Sequence, residues 1–148
     1  GGIGFGGPAA RVDGALAACE ILADTYLSVS TPVQVVAPSL IEQGALVRAQ
    51  ILARVRTNLE RLRALAAAFP AVDVLPVEGG WSAVLQVPAV RSEEALVLEL
   101  LDQDDVLVHP GYFFDFPREA YLVVSLLPLP AVFEPAVTRV LRRAAAAA

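Results

Sequence analysis

The single histidine of this 148-residue chain, His109, lies in Val108-His109-Pro110-Gly111, where a strand end would let an imidazole project as a general base. No nucleophile stands at a recognisable spacing from it, so a turn residue beside proline is the favoured reading. Just beyond, Tyr112-Phe113-Phe114-Asp115-Phe116 sets four aromatic rings in five residues. Rings sent outward could stack on a planar ligand, and rings sent inward would plug a hydrophobic core; the spacing leaves both open. Arg118 follows, able to fork onto a carboxylate or to pair with Glu119 at the surface. Gly2, Gly4 and Gly7 fit the G-x-G-x-x-G spacing of a pyrophosphate loop. That fingerprint needs a strand before the glycines and a helix directly after them, and Pro8 follows instead, which argues against a nucleotide site. One cysteine and one histidine cannot assemble a soft-ligand metal centre, and Asp102-Gln103-Asp104-Asp105 lacks the glycine and closing glutamate of a calcium loop.

All eleven basic residues are arginine, so no side-chain amine of this chain can form a Schiff base. Methionine is absent too, which predicts a processed or truncated chain. Hydrophobic residues make up 56% and charged ones 18%, with a mean hydropathy of +0.60, so much apolar surface is expected to meet a partner. A net charge of -5 opposes binding to nucleic acid. No apolar run approaches the ~18 residues of a membrane span, and a lone Cys19 fits a soluble protein of the reducing cytoplasm.

The elements that must position these groups follow from periodicity. Leu16, Cys19, Leu22 or Ala23, and Tyr26 give a helical face over residues 13–26, followed by a hydroxyl-rich turn at 28–32. Ser39 and Glu42 have the spacing of a capping box, which predicts that a second helix starts there. Its stripe, Val47, Ile51, Val55, Leu59, Leu62, Ala66 and Phe69, runs for about thirty residues, or ~45 Å, to Pro70. The period then switches to two: residues 72–75 and 81–87 read as paired strands, with Trp81, Ala83, Leu85 and Val87 on one face. Ser92 caps a helix through Leu101, with Glu93 and Glu94 in its first turn. Strands at 106–108 and 121–127 and a last helix over 135–143 complete an α+β domain, helices covering one face of a mainly antiparallel sheet.

Three stretches in order, ADTYLSVSTPVQ at 23–34, GGWSAVL at 79–85 and VLVHPGYFF at 106–114, resemble the C-terminal part of the fold-type I, class I/II pyridoxal-phosphate-dependent aminotransferases. The resemblance covers nearly the whole chain. It implies a homodimeric parent enzyme that moves an amino group between an amino acid and a 2-oxo acid on pyridoxal 5'-phosphate. Residues 1–37 would be a remnant of the large cofactor domain with an interface loop, and 38–148 the small C-terminal domain with its long connecting helix. GGIGFGGP would then lie in the middle of a longer protein. The family's cofactor lysine lies upstream of the matching part, so the chain alone is expected to be inactive. The resemblance makes Ser28, Ser30 and Thr31 polar contacts near the partner subunit's cofactor. It makes Gly79, Gly80 and Trp81 a turn approaching the substrate, and Tyr112 and Phe113 a mobile loop at the site mouth.

One departure stands out. Relatives that hold an α-carboxylate usually carry arginine in a pattern like R-x-S on a late strand, where this chain has Val123-Val124-Ser125. Valine cannot offer the fork of a guanidinium. Either Arg118 or an upstream residue substitutes, or the substrate is not the usual α-amino acid. A non-catalytic effector domain of a transcriptional regulator and a structural dimerisation fragment are the competing readings.

Overall fold

The structure is a computed structural model that describes residues 6–25 and 29–146, in two compact units, Gly1–Ala45 and Leu46–Ala148. The first unit holds α1 (Ala9–Thr25) and the start of α2 (Thr31–Ala66). Helix α1 begins on the Pro8 carbonyl, which accepts from the amides of Arg11 and Val12. It buries none of its residues: Leu16 and Leu22 of the expected stripe are exposed and Cys19 is half-buried.

Helix α2 starts eight residues before the expected Ser39. The Ser30 carbonyl accepts from the amides of Val33 and Gln34, and Pro32 sits in the first turn, where a missing N–H costs nothing. Ser39 is therefore interior; its Oγ accepts from Gln43 Nε2 at 2.8 Å, an i,i+4 contact in place of the capping box. The core-facing stripe is Val55, Asn58, Leu62 and Ala66. Val47 and Ile51, assigned to the same stripe by period, are exposed. The helix ends at Ala66, three residues before Phe69, as the amides of Ala68 and Phe69 turn back to Leu65 and Ala66.

The second unit is the α+β fold expected. Strands β1 (Asp73–Val74), β2 (Ser82–Gln86), β3 (His109–Pro110) and β4 (Tyr121–Ser125) form an antiparallel sheet in the order β1-β2-β4-β3. Ala83 and Leu85 of β2 and Leu122 and Val124 of β4, with Val87 and Leu126 just beyond the strand ends, join a single core. Onto it pack the end of α2, α3 (Glu93–Asp104) through Leu96, Val97 and Leu100, and α4 (Pro130–Ala145) through Phe133, Val137, Val140, Leu141 and Ala144. Full burial of a leucine such as Leu62, Leu85 or Leu122 stabilises the fold by about 1.5–3 kcal/mol.

Several expected bounds shift for identifiable reasons. Trp81 is 60% exposed and lies outside β2, so it does not share the buried face of Ala83. Residues 106–108 are not in a strand; β3 is the two residues beyond them. Helix α4 begins at Pro130, whose fixed φ suits the first turn, and it carries Pro135 inside instead of starting there. Ser92 caps α3 as expected, its Oγ accepting from Ala95 N at 3.2 Å. The helix continues through Asp104 and closes on Asp105 in the left-handed region.

Candidate functional site

Helices cover the face of the sheet that carries Leu85 and Leu122, and the opposite face carries the candidate His109. Register places Val84, Val123 and His109 in one row across β2, β4 and β3, with Ser82 opposite Ser125 and Gln86 opposite Tyr121 on either side. Val123 is only 6% exposed although it belongs to the side away from the core. The row is apolar apart from the imidazole.

The aromatic run bends over this face. A 3₁₀ turn, Gly111–Phe114, ends at Asp115 with φ 56°, and Ala120 closes the loop at φ 125°. The outward alternative is realised for three of the four rings. Tyr112, Phe113 and Phe114 are exposed, while Phe116 turns back and stacks on Tyr121 with centroids 4.5 Å apart. The His109 ring lies 6.1 Å from those of both Phe113 and Phe114, and Tyr112 meets Phe113 edge-on at 4.9 Å. None of the run joins the core.

Arg118 does not pair with Glu119. Its Nη2 donates to Tyr121 Oη at 3.3 Å, and its Cζ lies 5.7 Å from the centroid of the same ring. Tyr121 and Val123 lie two residues apart on one strand face, so the guanidinium is held by the residue next along the face from Val123. Gly80 and Trp81 lie at the other end of the strand pair, just before Ser82, which is about 13 Å from Gln86 along β2 at ~3.3 Å per residue. Gly80 takes φ 77°, which an L side chain rarely adopts, so glycine is required for that turn. Trp81 is fixed through its backbone, its carbonyl accepting from Leu126 N at 2.7 Å.

Ser30 and Thr31 belong to the first unit, where both are exposed at the head of α2. Ser28 lies outside the described residues. Thus Tyr112, Phe113 and His109 come together, Arg118 joins the same sheet face, and Gly80 with Trp81 bounds it at the far end.

The residue that sequence reasoning missed is Glu93. It reads as one of two acids favouring a helix N-terminus, yet it is 2% exposed and its carboxylate accepts from loop amides. Its exposed neighbour Glu94 gives the same sequence signal, so composition could not separate them.

Elsewhere in the second unit, α3 and α4 are joined by ion pairs. Arg143 bridges Asp104 and Glu99, and Glu99 also receives Arg91. The hydrogen bond to Asp104 holds the Arg143 guanidinium above its ordinary pKa, against the pull of desolvation. These groups line a cleft of about 420 Å³ with Arg139 and Arg142, away from the aromatic loop. Among the described residues no cluster of three histidine, cysteine or acidic side chains could hold a metal ion, and no helix is long and apolar enough to cross a membrane.

No family model matches the chain, and no curated protein matches it. Solved structures do. An α-aminoadipate aminotransferase from Thermus thermophilus, solved with N-(5'-phosphopyridoxyl)-L-leucine, superposes with a TM-score of 0.67 over 91% of this chain and 36% of its own, at 18% identity. A methionine aminotransferase of Escherichia coli gives 0.61 over 81% of this chain and 32% of its own, at 15% identity. A further aminotransferase from Escherichia coli gives 0.55 over 60% and 23%, at 22% identity. The chain spans between about a quarter and a third of the length of these structures. It has the fold of a C-terminal part of an aminotransferase.

Proposed function

We propose that this chain is the C-terminal domain of a pyridoxal-phosphate-dependent aminotransferase that moves an amino group between an amino acid and a 2-oxo acid. The observation that carries the reading is the likeness over 91% of the chain to an aminotransferase solved with a phosphopyridoxyl amino acid. The ordered sheet face, with its aromatic rim and guanidinium, supports it.

The residues present fit part of what such a cofactor needs. Ser30 and Thr31 are exposed and free to approach a phosphate from the first unit, as is expected of Ser28. No lysine is available, so the amine that anchors an aldehyde must come from another segment or subunit. The cofactor supplies an electron sink at the substrate α-carbon. This chain's part is binding and exclusion. Arg118, steadied on Tyr121, forks onto the substrate carboxylate in place of a guanidinium at Val123. Tyr112 and Phe113 wall off water, and Gly80 lets the backbone before Trp81 approach the ligand.

The chain meets a second copy of itself through its first unit and the head of α2, where Val33, Val35, Val36, Leu40 and Ile41 are all exposed. The lone Cys19 suits a cytoplasmic setting.

The test is the protein as isolated from its source, assayed for pyridoxal-phosphate absorbance and for amino transfer over a panel of amino and 2-oxo acids. Transfer that depends on the cofactor is expected, with a borohydride-reducible adduct on a residue outside this chain. A native protein that carries this domain, takes up no cofactor and transfers no amino group overturns the reading.

A further inference from the structure

We infer that Glu93 is the positioning residue of the aromatic loop, a single buried carboxylate that ties both ends of residues 111–120 to α3 and holds the rings as a fixed wall. Oε2 accepts from Tyr112 N at 3.0 Å at the start of the loop. Oε1 accepts from Ala120 N at 2.9 Å and Tyr121 N at 2.7 Å at its end. The loop answers in kind, with Glu119 Oε2 accepting from Glu93 N at 3.3 Å. A span of ten residues is thus closed at its neck by one side chain that is 2% exposed.

The chemistry of the contact requires a carboxylate. All three partners are backbone N–H donors, so both oxygens must accept. Charge-assisted bonds of this kind are among the stronger ones, and the N-terminal end of α3 adds a favourable field. The surroundings are built to the same contact. A Cβ at Gly111 would stand 2.7 Å from Tyr121 Cβ and 3.0 Å from Glu93 Oε1, so the loop enters on a glycine. Ala120 keeps φ 125°, a conformation alanine rarely adopts, with its amide on Glu93 and its carbonyl accepting from Val87 N at 2.8 Å. A strained residue persists only where its neighbours over-determine it.

Helix capping alone does not account for this. The orphan amide of Ala95 is met by Ser92, and Glu94 already offers a charge in the same turn. What Glu93 adds is reach into the loop. The wall's action on a substrate rests on the aminotransferase reading, whereas the anchorage itself does not, and its test needs no turnover.

The test is amide hydrogen exchange by NMR on this chain, comparing wild type, Glu93→Gln and Glu94→Gln. Glutamine keeps the shape but turns an NH₂ group toward an N–H donor, so at least one end of the loop loses its acceptor. The amides at one end of the loop at least, Tyr112 or the pair Ala120 and Tyr121, should exchange about tenfold faster or more in the Glu93 variant, with those of Leu100 and Val124 unchanged. The His109 ring protons should shift as Phe113 and Phe114 move, and the Glu94 variant should match wild type throughout. Unaltered exchange at the three amides overturns the inference, and so does equal acceleration across the whole second unit. Wild-type chain gives a second reading that does not depend on the variant folding. The three amides, released by one carboxylate, should show protection factors within about threefold of each other, and three unrelated values overturn the shared anchor.

Discussion

Asn58 Nδ2 donates to the carbonyl of Leu126 at 2.9 Å, joining α2 to the end of β4 across a sequence separation of 68 residues. The same nitrogen donates to Pro128 O at 2.8 Å, so one buried amide group holds the chain as it leaves the sheet for α4. Residues 126 and 128 both present carbonyls inward, and the proline at 128 has no N–H of its own to offer.

Asn58 is 1% exposed, and replacing it by alanine strands the buried carbonyl of Leu126 and the half-buried one of Pro128. A loss of about 1–3 kcal/mol is expected, the cost of leaving buried acceptors unmet. Aspartate should be worse than alanine, since it brings a charge and removes the donor. Urea unfolding read by circular dichroism checks both, and an alanine variant as stable as wild type would show that water replaces the side chain without loss.

Asp105 gives a prediction of opposite sign. It closes α3 at φ 53° and ψ 40°, its own amide donating back to Leu100 O, and its side chain is exposed. Glycine reaches that conformation without Cβ strain, and no packing is forfeited by the change. Asp105→Gly should stabilise the domain by about 0.5–1 kcal/mol, seen as a higher melting temperature. A lower one would mean that the carboxylate makes a contact worth more than the relief of strain.

What the sequence made legible, and what it did not, divides along the range of the forces involved. The alternation Ala83, Leu85 and Val87 is the core as built, because a half-buried strand writes its inward side every second residue. Ser92 as a cap was equally readable, being a contact three residues long. The start of α2 is not legible, because Ser39 and Glu42 carry a cap-like spacing that the continuing helix has no use for, and Pro38 lies inside it. Hydrophobic period carries the stripe on through Val47 and Ile51, because it marks a face without saying whether anything covers it. Glu93 could not be found at all: its partners lie 19 to 28 residues away and are backbone amides, which leave no mark in composition. At the site, residue types pointed to Tyr112, Phe113 and Arg118, while only the register puts His109 in a row with Val84 and Val123.

The Arg61–Glu134 ion pair between α2 and α4 should leave an acid-side signature. Hydrogen bonding to Arg61 holds the Glu134 carboxyl below its ordinary range, and the same contact raises Arg61. A depressed acid contributes stability that is present above its unfolded pKa and fades as pH falls through the folded value. The raised arginine would lose its share only at more alkaline pH than its unfolded value. The stability difference between wild type and Arg61→Ala should therefore be present at neutral pH, shrink as pH falls below the carboxylate range, and weaken in high salt because both groups are exposed. A double-mutant cycle with Glu134→Gln, measured at several pH values, checks this; a difference constant with pH would assign the effect to lost packing of the arginine stem.

Arg118 and Tyr121 decide how the site manages without arginine at 123. If the guanidinium held on Tyr121 receives the substrate carboxylate, Arg118→Ala in the native protein should raise KM about ten- to hundredfold, the worth of a charge-assisted fork, with kcat nearly unchanged. Lysine at 118 should recover only part of the loss, since an ammonium offers no planar pair of donors and stacks poorly on the ring. Tyr121→Phe separates the two supports: it removes the 3.3 Å hydrogen bond and leaves the ring beneath Cζ, so it should cost several-fold less than Arg118→Ala. The control is an amine substrate without a carboxylate, whose KM the Arg118 variants should leave alone. Equal KM for the acid substrate in wild type and Arg118→Ala would move carboxylate recognition off this chain, leaving the apolar row of Val84 and Val123 to face an uncharged part of the ligand.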